Sequence, residues 1–351
     1  MQTVTYIMLA FGALAALDRI FGNKFKIGNE FEKGINMLGT LTLSMAGMLV
    51  IAPLISRLLS GVGSLGPFDI SILPASILAN DMGGAHLAKS LAGDEKIGLF
   101  GGVIVSSMMG CTVSFTLPYV LQATDKKHHA DVLYGLLCGI ATIPAGCLVS
   151  GLIMGIDPLA LIIYMIPLMI FAGIIAIGLI KFKKITVAVF TWLGILMKII
   201  ITVGLFSGIV EYLTGFKVIP YTDSLESAMG VIINIACIMV GAFPLLNIVK
   251  RLLSPLLEKA GRKIGLDSHS AFGLLSTVGT SVSTFEAVDK MSKKGVIVNS
   301  AFAVSASFVF VDHLAFTLSF EPSLVPAMII GKLVSGISAV ILAFILTKNN
   351  K

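Results

Sequence analysis

The sequence predicts an all-α, polytopic membrane protein, and three observations support this fold class. First, 56% of the 351 residues are hydrophobic and only 13% are charged, whereas soluble domains carry about 25% charged residues. Second, apolar windows of about 20 residues, the length at which a helix crosses a bilayer, recur along the chain. Third, the polar connectors between these windows are short, so we expect no soluble domain.

About nine windows have the length and composition of full membrane spans. They cover residues 4–21, 35–58, 97–121, 131–154, 158–180, 186–212, 226–250, 295–320 and 324–347. No Lys or Arg precedes the first window, which continues to Phe21. We therefore interpret it as a span and not as a cleaved signal peptide.

Two other segments, at about residues 68–92 and 267–289, have apolar stretches of about ten residues that small and polar residues interrupt. We expect each to form a re-entrant hairpin, which enters and leaves the membrane on the same side. With the N-terminus outside and the C-terminus inside, most of the Lys and Arg residues then lie in the cytoplasm, as the positive-inside rule requires. Fully crossing hairpins would move Lys181, Lys183 and Lys184 outside.

The predicted order of elements indicates an inverted repeat. Residues 1–154 form a first unit of two spans, a hairpin and two spans; residues 155–184 are a linker span; and residues 185–351 form a second unit of the same order. The sequence FDIS before the first hairpin resembles LDSHS before the second. Inverted repeats with interrupted helices near the midplane are typical of secondary transporters. The alternative is a coincidental similarity between unrelated spans.

Charge, cysteine content and missing motifs exclude several other classes. We attribute the net charge of +6 to cytoplasmic loops and expect no binding of nucleic acid. The four Cys residues lie in apolar spans without a CxxC pair, which indicates core residues and neither a disulfide nor a metal site. The chain has no G-x-x-x-x-G-K-[ST] motif and no HExxH or Ser-His-Asp arrangement, so we predict no ATP-driven pump, no enzyme and no cofactor.

Two acidic residues in apolar sequence are the main candidates for a functional site. Asp81 lies in ILANDMGG, and Asp312 lies in FVFVDHLAF. A carboxylate at bilayer depth is costly unless it is paired, hydrated or protonated, and such residues usually belong to substrate or ion pathways. Asn80, Gly83 and Gly84 accompany Asp81, and the glycines permit a tight turn and close approach to a ligand. The alternative is a polar kink that neighbouring helices satisfy.

Polar residues of the second repeat could complete the site. Thr277 and Thr280 are the hydroxyl residues nearest the predicted break of the second hairpin, although packing is the usual role of such hydroxyls. Asn299, Asp312 and His313 lie in the predicted span 295–320. The carboxylate could neutralise a cation, and the imidazole could orient it or carry a proton. A structural Asp–His or Asp–Lys pair is the alternative. The sequence therefore predicts a transporter for a small, polar, positively charged solute.

Five segments together resemble the ethanolamine-utilisation permease family. They are NDMGGAHLAKSLAGDE at 80–95, SSMMGCTVSFTLP at 106–118, GIATIPAGC at 139–147, NSAFAVSASFVFVDHLAF at 299–316 and MIIGKLVSGISA at 328–339. The resemblance extends over nearly the whole chain and is densest around the two hairpins. It implies uptake of ethanolamine across the bacterial cytoplasmic membrane by a multi-pass protein, through facilitated or secondary transport.

Ethanolamine fits the candidate residues, because its ammonium group requires a carboxylate, carbonyls or aromatic rings and its hydroxyl group requires a polar partner. Our hypothesis is that Asp81 and Asp312 face one cavity between the hairpins. One alternative is a cation-coupled transporter of another small solute, such as a nucleoside or an amino acid. Another is a membrane sensor or scaffold that does not transport. We also expect a homo-oligomer in the lipid bilayer.

Overall fold

The computed structural model describes residues 2–60, 68–263 and 265–348, and within these ranges the fold is helical throughout, without β-strands. The α-helices are α1 Gln2–Ile20, α2 Gly28–Leu41, α3 Gly47–Ser60, α4 Ile72–Ile77, α5 Gly84–Leu91, α6 Glu95–Leu99, α7 Leu117–Ala123, α8 His129–Ile153, α9 Pro158–Lys181, α10 Lys183–Thr214, α11 Leu225–Lys263, α12 Ser268–Thr277, α13 Val282–Glu286, α14 Lys293–Ala306, α15 Asp312–Phe320 and α16 Val325–Lys348. The predicted all-α class is confirmed.

Seven helical segments of the described chain are long and apolar enough to cross a membrane. They are Gly28–Leu58, Glu95–Val120, Lys126–Ile153, Pro158–Lys181, Lys184–Thr214, Leu225–Leu252 and Pro322–Thr347. On α9, the apolar side chains of Ile162, Ile170 and Ile174 are more than half exposed, as expected for a surface that contacts lipid. The chain is therefore a multi-pass membrane protein. The other two predicted spans correspond to α1 and to the pair α14 and α15.

The predicted span 295–320 is not one continuous helix. It divides into α14 and α15, and residues 307–311 between them are non-helical. Phe308 has a positive φ of 63°, a conformation that a bulky residue rarely adopts and that ends the helix. Apolar composition gives no indication of this break, because the residues on both sides and within it are equally hydrophobic.

Both predicted hairpin segments have the form of two short helices separated by a break. In the first, α4 and α5 flank the 3₁₀ turn Asn80–Met82. In the second, α12 and α13 flank residues 278–281. This form is what a re-entrant hairpin requires, since each arm is too short to cross a bilayer. Their placement in the membrane, the count of nine spans and the sidedness of the termini stay predictions.

An aspartate connects the two ends of each hairpin. Asp69 accepts hydrogen bonds from the backbone N–H of Ser71 and, at the far end, from that of Gly93, both at 2.9 Å. Asp267 accepts from the backbone N–H of Ser270 and, at the far end, from that of Ser292, both at 2.9 Å. These are the aspartates of the FDIS and LDSHS motifs, so the short sequence similarity corresponds to one local structure that occurs twice.

We expect Asp267→Ala to destabilise the protein in a pH-dependent way. Partial burial raises the pKa of Asp267, but hydrogen bonds from Ser270 and Ser292 outweigh this effect and hold the pKa well below its usual range. A carboxylate with a depressed pKa stabilises the fold above the unfolded-state pKa of about 4, and this contribution disappears as the pH falls. Thermal unfolding should show a loss of about 1–2 kcal/mol at pH 7 that shrinks below pH 4.

Asp157→Ala is the matched control for this variant. Asp157 also caps a helix, but its hydrogen bonds are to Leu159 and Ala160 of its own helix, α9. It should therefore cost less stability than Asp267→Ala. Equal losses for the two variants, or a loss at Asp267 that does not change with pH, would contradict the role of Asp267 in joining the hairpin ends.

Candidate functional site

The breaks of the second hairpin and of α14–α15 are hydrogen-bonded to each other. The backbone N–H of Phe308 donates to the carbonyl of Thr277 at 3.2 Å, and the N–H of Phe310 donates to the carbonyl of Val278 at 3.0 Å. These bonds satisfy backbone groups that a broken helix leaves without helical partners. This contact therefore holds the start of α15, and Asp312 with it, against the second hairpin.

The first hairpin packs in a comparable way against π-helical segments. The chain between α6 and α7 is largely π-helical, over Phe100–Gly110 and Thr112–Thr116, and π-helical turns are frequent at functional sites. The hydroxyl of Ser114 donates to the carbonyl of Gly110 at 2.8 Å and accepts from the N–H of Ala79 at 3.1 Å. Ala79, Cys111 and Phe308 form one buried cluster, so the tip of the first hairpin meets the break between α14 and α15.

A cavity of about 430 Å³ lies at this meeting point. Its wall includes Asp81 from the first hairpin, Thr280 from the second, and Asp312 and His313 from the start of α15. The other residues of the wall are Lys33, Met37, Thr40, Leu41, Ser44, Ala79, Met82, Cys111, Phe115, Val282, Ser283, Glu286 and Phe308. The structure thus brings together four of the nine site residues that the sequence predicted, including both aspartates.

The two aspartates face the cavity without a cationic partner. In the described part of the chain, no Lys, Arg or His nitrogen lies within 4.0 Å of either carboxylate. Oδ1 of Asp312 is buried and has no hydrogen-bond partner among the described residues. The two carboxylates also interact electrostatically with each other. A buried carboxylate without a contacting cation is costly, and a cation in this cavity would reduce that cost.

Aromatic rings and one imidazole surround the carboxylates. The ring of Phe308 lies edge-on to that of Phe115, with centroids 5.5 Å apart, and its centroid is also 5.5 Å from that of His313. His313 is 2% exposed, and its Nδ1 has no partner among the described residues. The faces of these rings can stabilise an organic cation, and the free imidazole nitrogen can bond to a hydroxyl group.

Asn80, Gly83 and Gly84 shape the tip of the first hairpin but are not among the residues of the cavity wall. Gly83 has φ of 93°, and a Cβ there would collide with the side chain of Met48. A Cβ at Gly84 would collide with the carbonyl of Leu78. Asn80 is fully buried, and both polar atoms of its amide lack a described partner. The glycines therefore let the turn that carries Asp81 pack closely against its neighbours.

Thr277 and Asn299 make contacts that join helices and do not line the cavity. The hydroxyl of Thr277 is 2.9 Å from both the carbonyl of Gly273 and the hydroxyl of Thr284. The amide nitrogen of Asn299 donates to the carbonyl of Ser270 at 2.9 Å and to that of Gly295 at 3.0 Å. These bonds connect α12 to α13 and to α14. This is the structural packing role that such polar residues often have.

Three charged residues near the site were not among the site residues predicted from the sequence. Lys33 and Glu286 are the exposed charged residues at the rim of the cavity. Lys332 is 1% exposed and is not among the residues of the cavity wall. The rim residues come from helices that are distant along the chain, so only the tertiary structure brings them together. For Lys332 a signal existed: it is a single lysine within the apolar span 324–347.

Among the described residues, no group of three or more His, Cys, Asp or Glu side chains is arranged to hold a metal ion. Cys111, Cys138 and Cys147 are buried free thiols, and Cys237 is an exposed one. What the site offers is a pair of anionic groups, aromatic faces and a few neutral polar groups. This combination suits a small cation that carries a hydrogen-bonding group.

The fold and the cavity define a multi-pass membrane protein with an acidic internal site. The chain belongs to the family described as ethanolamine utilisation protein, EutH, whose family model matches residues 1–346. It is 38% identical over 344 residues to the probable ethanolamine permease EutH of Listeria monocytogenes, an alignment that covers 97% of this chain and 92% of the relative.

Two further relatives match at similar length. The probable ethanolamine permease EutH of Salmonella typhimurium is 32% identical over 388 residues, with 98% of this chain and 95% of the relative covered. The uncharacterized protein YxeR of Bacillus subtilis is 32% identical over 344 residues, with 96% and 92% covered. No solved structure matches the chain at a significant level.

Proposed function

We propose that this protein is a permease that moves ethanolamine, as the ethanolammonium cation, across the bacterial cytoplasmic membrane. The observation that carries the proposal is the pair Asp81 and Asp312, which face one cavity without a salt bridge to a described residue. Membership of the EutH family and the names of two relatives support the same substrate. The proposal assigns transport, and not catalysis, to the site.

The chemistry of ethanolammonium matches the wall of the cavity. Its ammonium group would lie between Asp81 and Asp312, near the faces of Phe115 and Phe308, and its hydroxyl group would bond to Thr280 or to His313. A cavity of about 430 Å³ is within the usual range for small-molecule sites, and it is large enough to hold this ion together with water. Charge-assisted hydrogen bonds to the carboxylates would supply most of the affinity.

The exposed residues of the cavity wall support a substrate passage that is open to solvent at one end of the cavity. The rim contains Glu286, which is exposed, and Lys33, whose side chain is 52% exposed; the positive-inside rule assigns this end to the cytoplasm. Outside the cavity wall, the ring of His86 lies 4.9 Å from that of Phe320, which stacks on Phe316 at 5.3 Å. We propose that these rings close the outer side.

The paired hairpins and breaks support the inverted repeat, with residues 1–154 and 185–351 as its two units and 155–184 as the linker span. Asp69 and Asp267 each accept a hydrogen bond from the far end of their own hairpin. The breaks of both hairpins contribute residues, Asp81 and Thr280, to one cavity. We further propose nine spans with two re-entrant hairpins, an external N-terminus, an internal C-terminus and assembly into a homo-oligomer in the lipid bilayer.

Transport of the cation needs no second ion for accumulation. A membrane potential contributes about 2.3 kcal/mol per 100 mV for one elementary charge. This corresponds to a concentration ratio of about fifty-fold at 100 mV, negative inside. A permease that only lowers the barrier for ethanolammonium would therefore concentrate it inside the cell.

Uptake of labelled ethanolamine into proteoliposomes tests the proposal. We expect saturable uptake that a potential, negative inside, increases, and that excess amino acids or nucleosides do not inhibit. Empty liposomes measure the diffusion of the neutral amine and serve as the control. Uptake no faster than in empty liposomes would contradict transport, and binding without flux would favour a sensor. Inhibition by amino acids or nucleosides would instead favour the other transporter class.

A further inference from the structure

Lys332 is a charged residue in the interior of the protein. It lies on α16, which packs against α8 and α14, and its side chain is 1% exposed. Its Nζ donates a hydrogen bond of 2.6 Å to the backbone carbonyl of Ser107. Ser107 lies within the π-helical segment Phe100–Gly110, which also packs against the first hairpin. The amine therefore lies in the protein interior, against a segment that also packs on the first hairpin.

One hydrogen bond does not compensate for a buried ammonium group. The group has three N–H donors, and in the described residues its hydrogen bond is to Ser107 and no carboxylate lies within 4.0 Å of Nζ. Lys96 shows the usual alternative: it also donates to a backbone carbonyl, that of Gly155 at 3.2 Å, but it does so from an exposed position. A buried lysine without a contacting carboxylate keeps its charge only where anions at longer range compensate for its burial.

The nearest candidate for an anion that compensates Lys332 without contacting it is Asp81 of the candidate site. The segment Phe100–Gly110, to which Lys332 is hydrogen-bonded, packs against the turn Asn80–Met82 that carries Asp81. A Cβ at Gly84, beside this turn, would lie 2.7 Å from the hydroxyl of Ser106. This packing places the Lys332 amine within electrostatic range of Asp81, which in turn lines the same cavity as Asp312. The three side chains thus form one electrostatic group, in which the amine lies behind the wall and the two carboxylates face the cavity. The formal charges of two carboxylates and one ammonium add to a single negative charge.

We propose that Lys332 sets the charge of the cavity so that it accepts one monovalent cation. This inference rests on the proposed function and deepens it, because it names a residue that determines substrate charge without contacting the substrate. With ethanolammonium bound, the group of three side chains and ligand is neutral. Without the Lys332 charge, no protein cation would offset the second carboxylate, and a dication that can pair with both carboxylates would be favoured over a monocation.

Competition by a dication against ethanolamine tests this specificity role. The variants are Lys332→Met and Lys332→Gln, which remove the charge, and Lys332→Arg, which keeps it. The competitor is propane-1,3-diamine, which carries two charges at neutral pH. The readout is the ratio of the diamine and ethanolamine concentrations that halve the binding of labelled ethanolamine to purified protein. We expect Lys332→Met and Lys332→Gln to shift this ratio at least about ten-fold in favour of the diamine.

Lys332→Arg and the exposed control Lys96→Met should keep the wild-type ratio. Since the readout is a ratio for one folded protein, a loss of stability alone would not change it, and Lys332→Gln retains a donor for Ser107 if Lys332→Met does not fold. An unchanged ratio in the neutral variants would overturn the inference while leaving the permease intact. If the wild type bound no ethanolamine, the proposed function itself would fail.

Discussion

Replacing Asp312 by Asn should lower the rate of ethanolamine uptake at low substrate concentration by at least about thirty-fold. Truncating one partner of a buried charge pair typically costs 2 kcal/mol or more, which corresponds to this factor. Asp312 faces the cavity from the start of α15 with one carboxylate oxygen unpartnered among the described residues. In the proposed complex, the substrate ammonium supplies the missing partner. Asp81→Asn should have an effect of similar size, measured as initial uptake into proteoliposomes at equal protein density.

The chain offers matched controls for these two variants. Asp125→Asn removes a carboxylate with an exposed side chain, which lies 3.5 Å from the amine of Lys127, and it should leave uptake unchanged. Asp312→Glu keeps the charge and should retain more uptake than Asp312→Asn. A similar loss in the glutamate and asparagine variants would indicate that the shape of the site, and not its charge, governs transport.

Gly83→Ala should abolish transport and destabilise the protein by about 2–5 kcal/mol. A left-handed backbone costs a non-glycine residue about 1–2 kcal/mol, and overpacking adds about 1–3 kcal/mol. Gly83 has φ of 93°, and a methyl group there would meet the side chain of Met48. The turn would have to move, and it carries Asp81. Thermal unfolding in detergent and uptake in proteoliposomes measure the two effects.

Gly230→Ala is the control for Gly83→Ala. Gly230 lies within α11, and a Cβ added there has no other atom within 4 Å. The alanine should be neutral or should stabilise the helix by up to about 1 kcal/mol. If Gly83→Ala behaved like Gly230→Ala, the close packing at the tip of the first hairpin would not be needed for the site.

The two aspartates that line the cavity were selectable as candidates from the sequence, because their environment along the chain is informative. Asp81 and Asp312 are single charges in apolar sequence, and this pattern alone indicates a functional position. Thr280 and His313 follow from their proximity to the breaks, and both line the cavity. The hairpin form also follows from short apolar stretches around Gly-rich or hydroxyl-rich sequence. These features are local, so they could be predicted.

Tertiary contacts explain what the sequence could not predict. Thr277 lies as close to the break as Thr280, but its hydroxyl turns toward Gly273 and Thr284. The break at Phe308 depends on hydrogen bonds to the second hairpin. The sequence around it contains no glycine or proline from which a break could be predicted. Lys33 and Glu286 reach the cavity rim from α2 and α13, a proximity that only helix packing creates.

The double variant Asp81→Asn, Asp312→Asn provides the most direct test of the central claim. That claim is that two carboxylates of one internal cavity bind a travelling ammonium ion. Labelled ethanolamine uptake should be measured in proteoliposomes at neutral pH, with double-variant and wild-type protein at equal abundance and with an imposed potential. We predict that uptake by the double variant falls to the level of empty liposomes. Uptake at the wild-type rate would contradict the account.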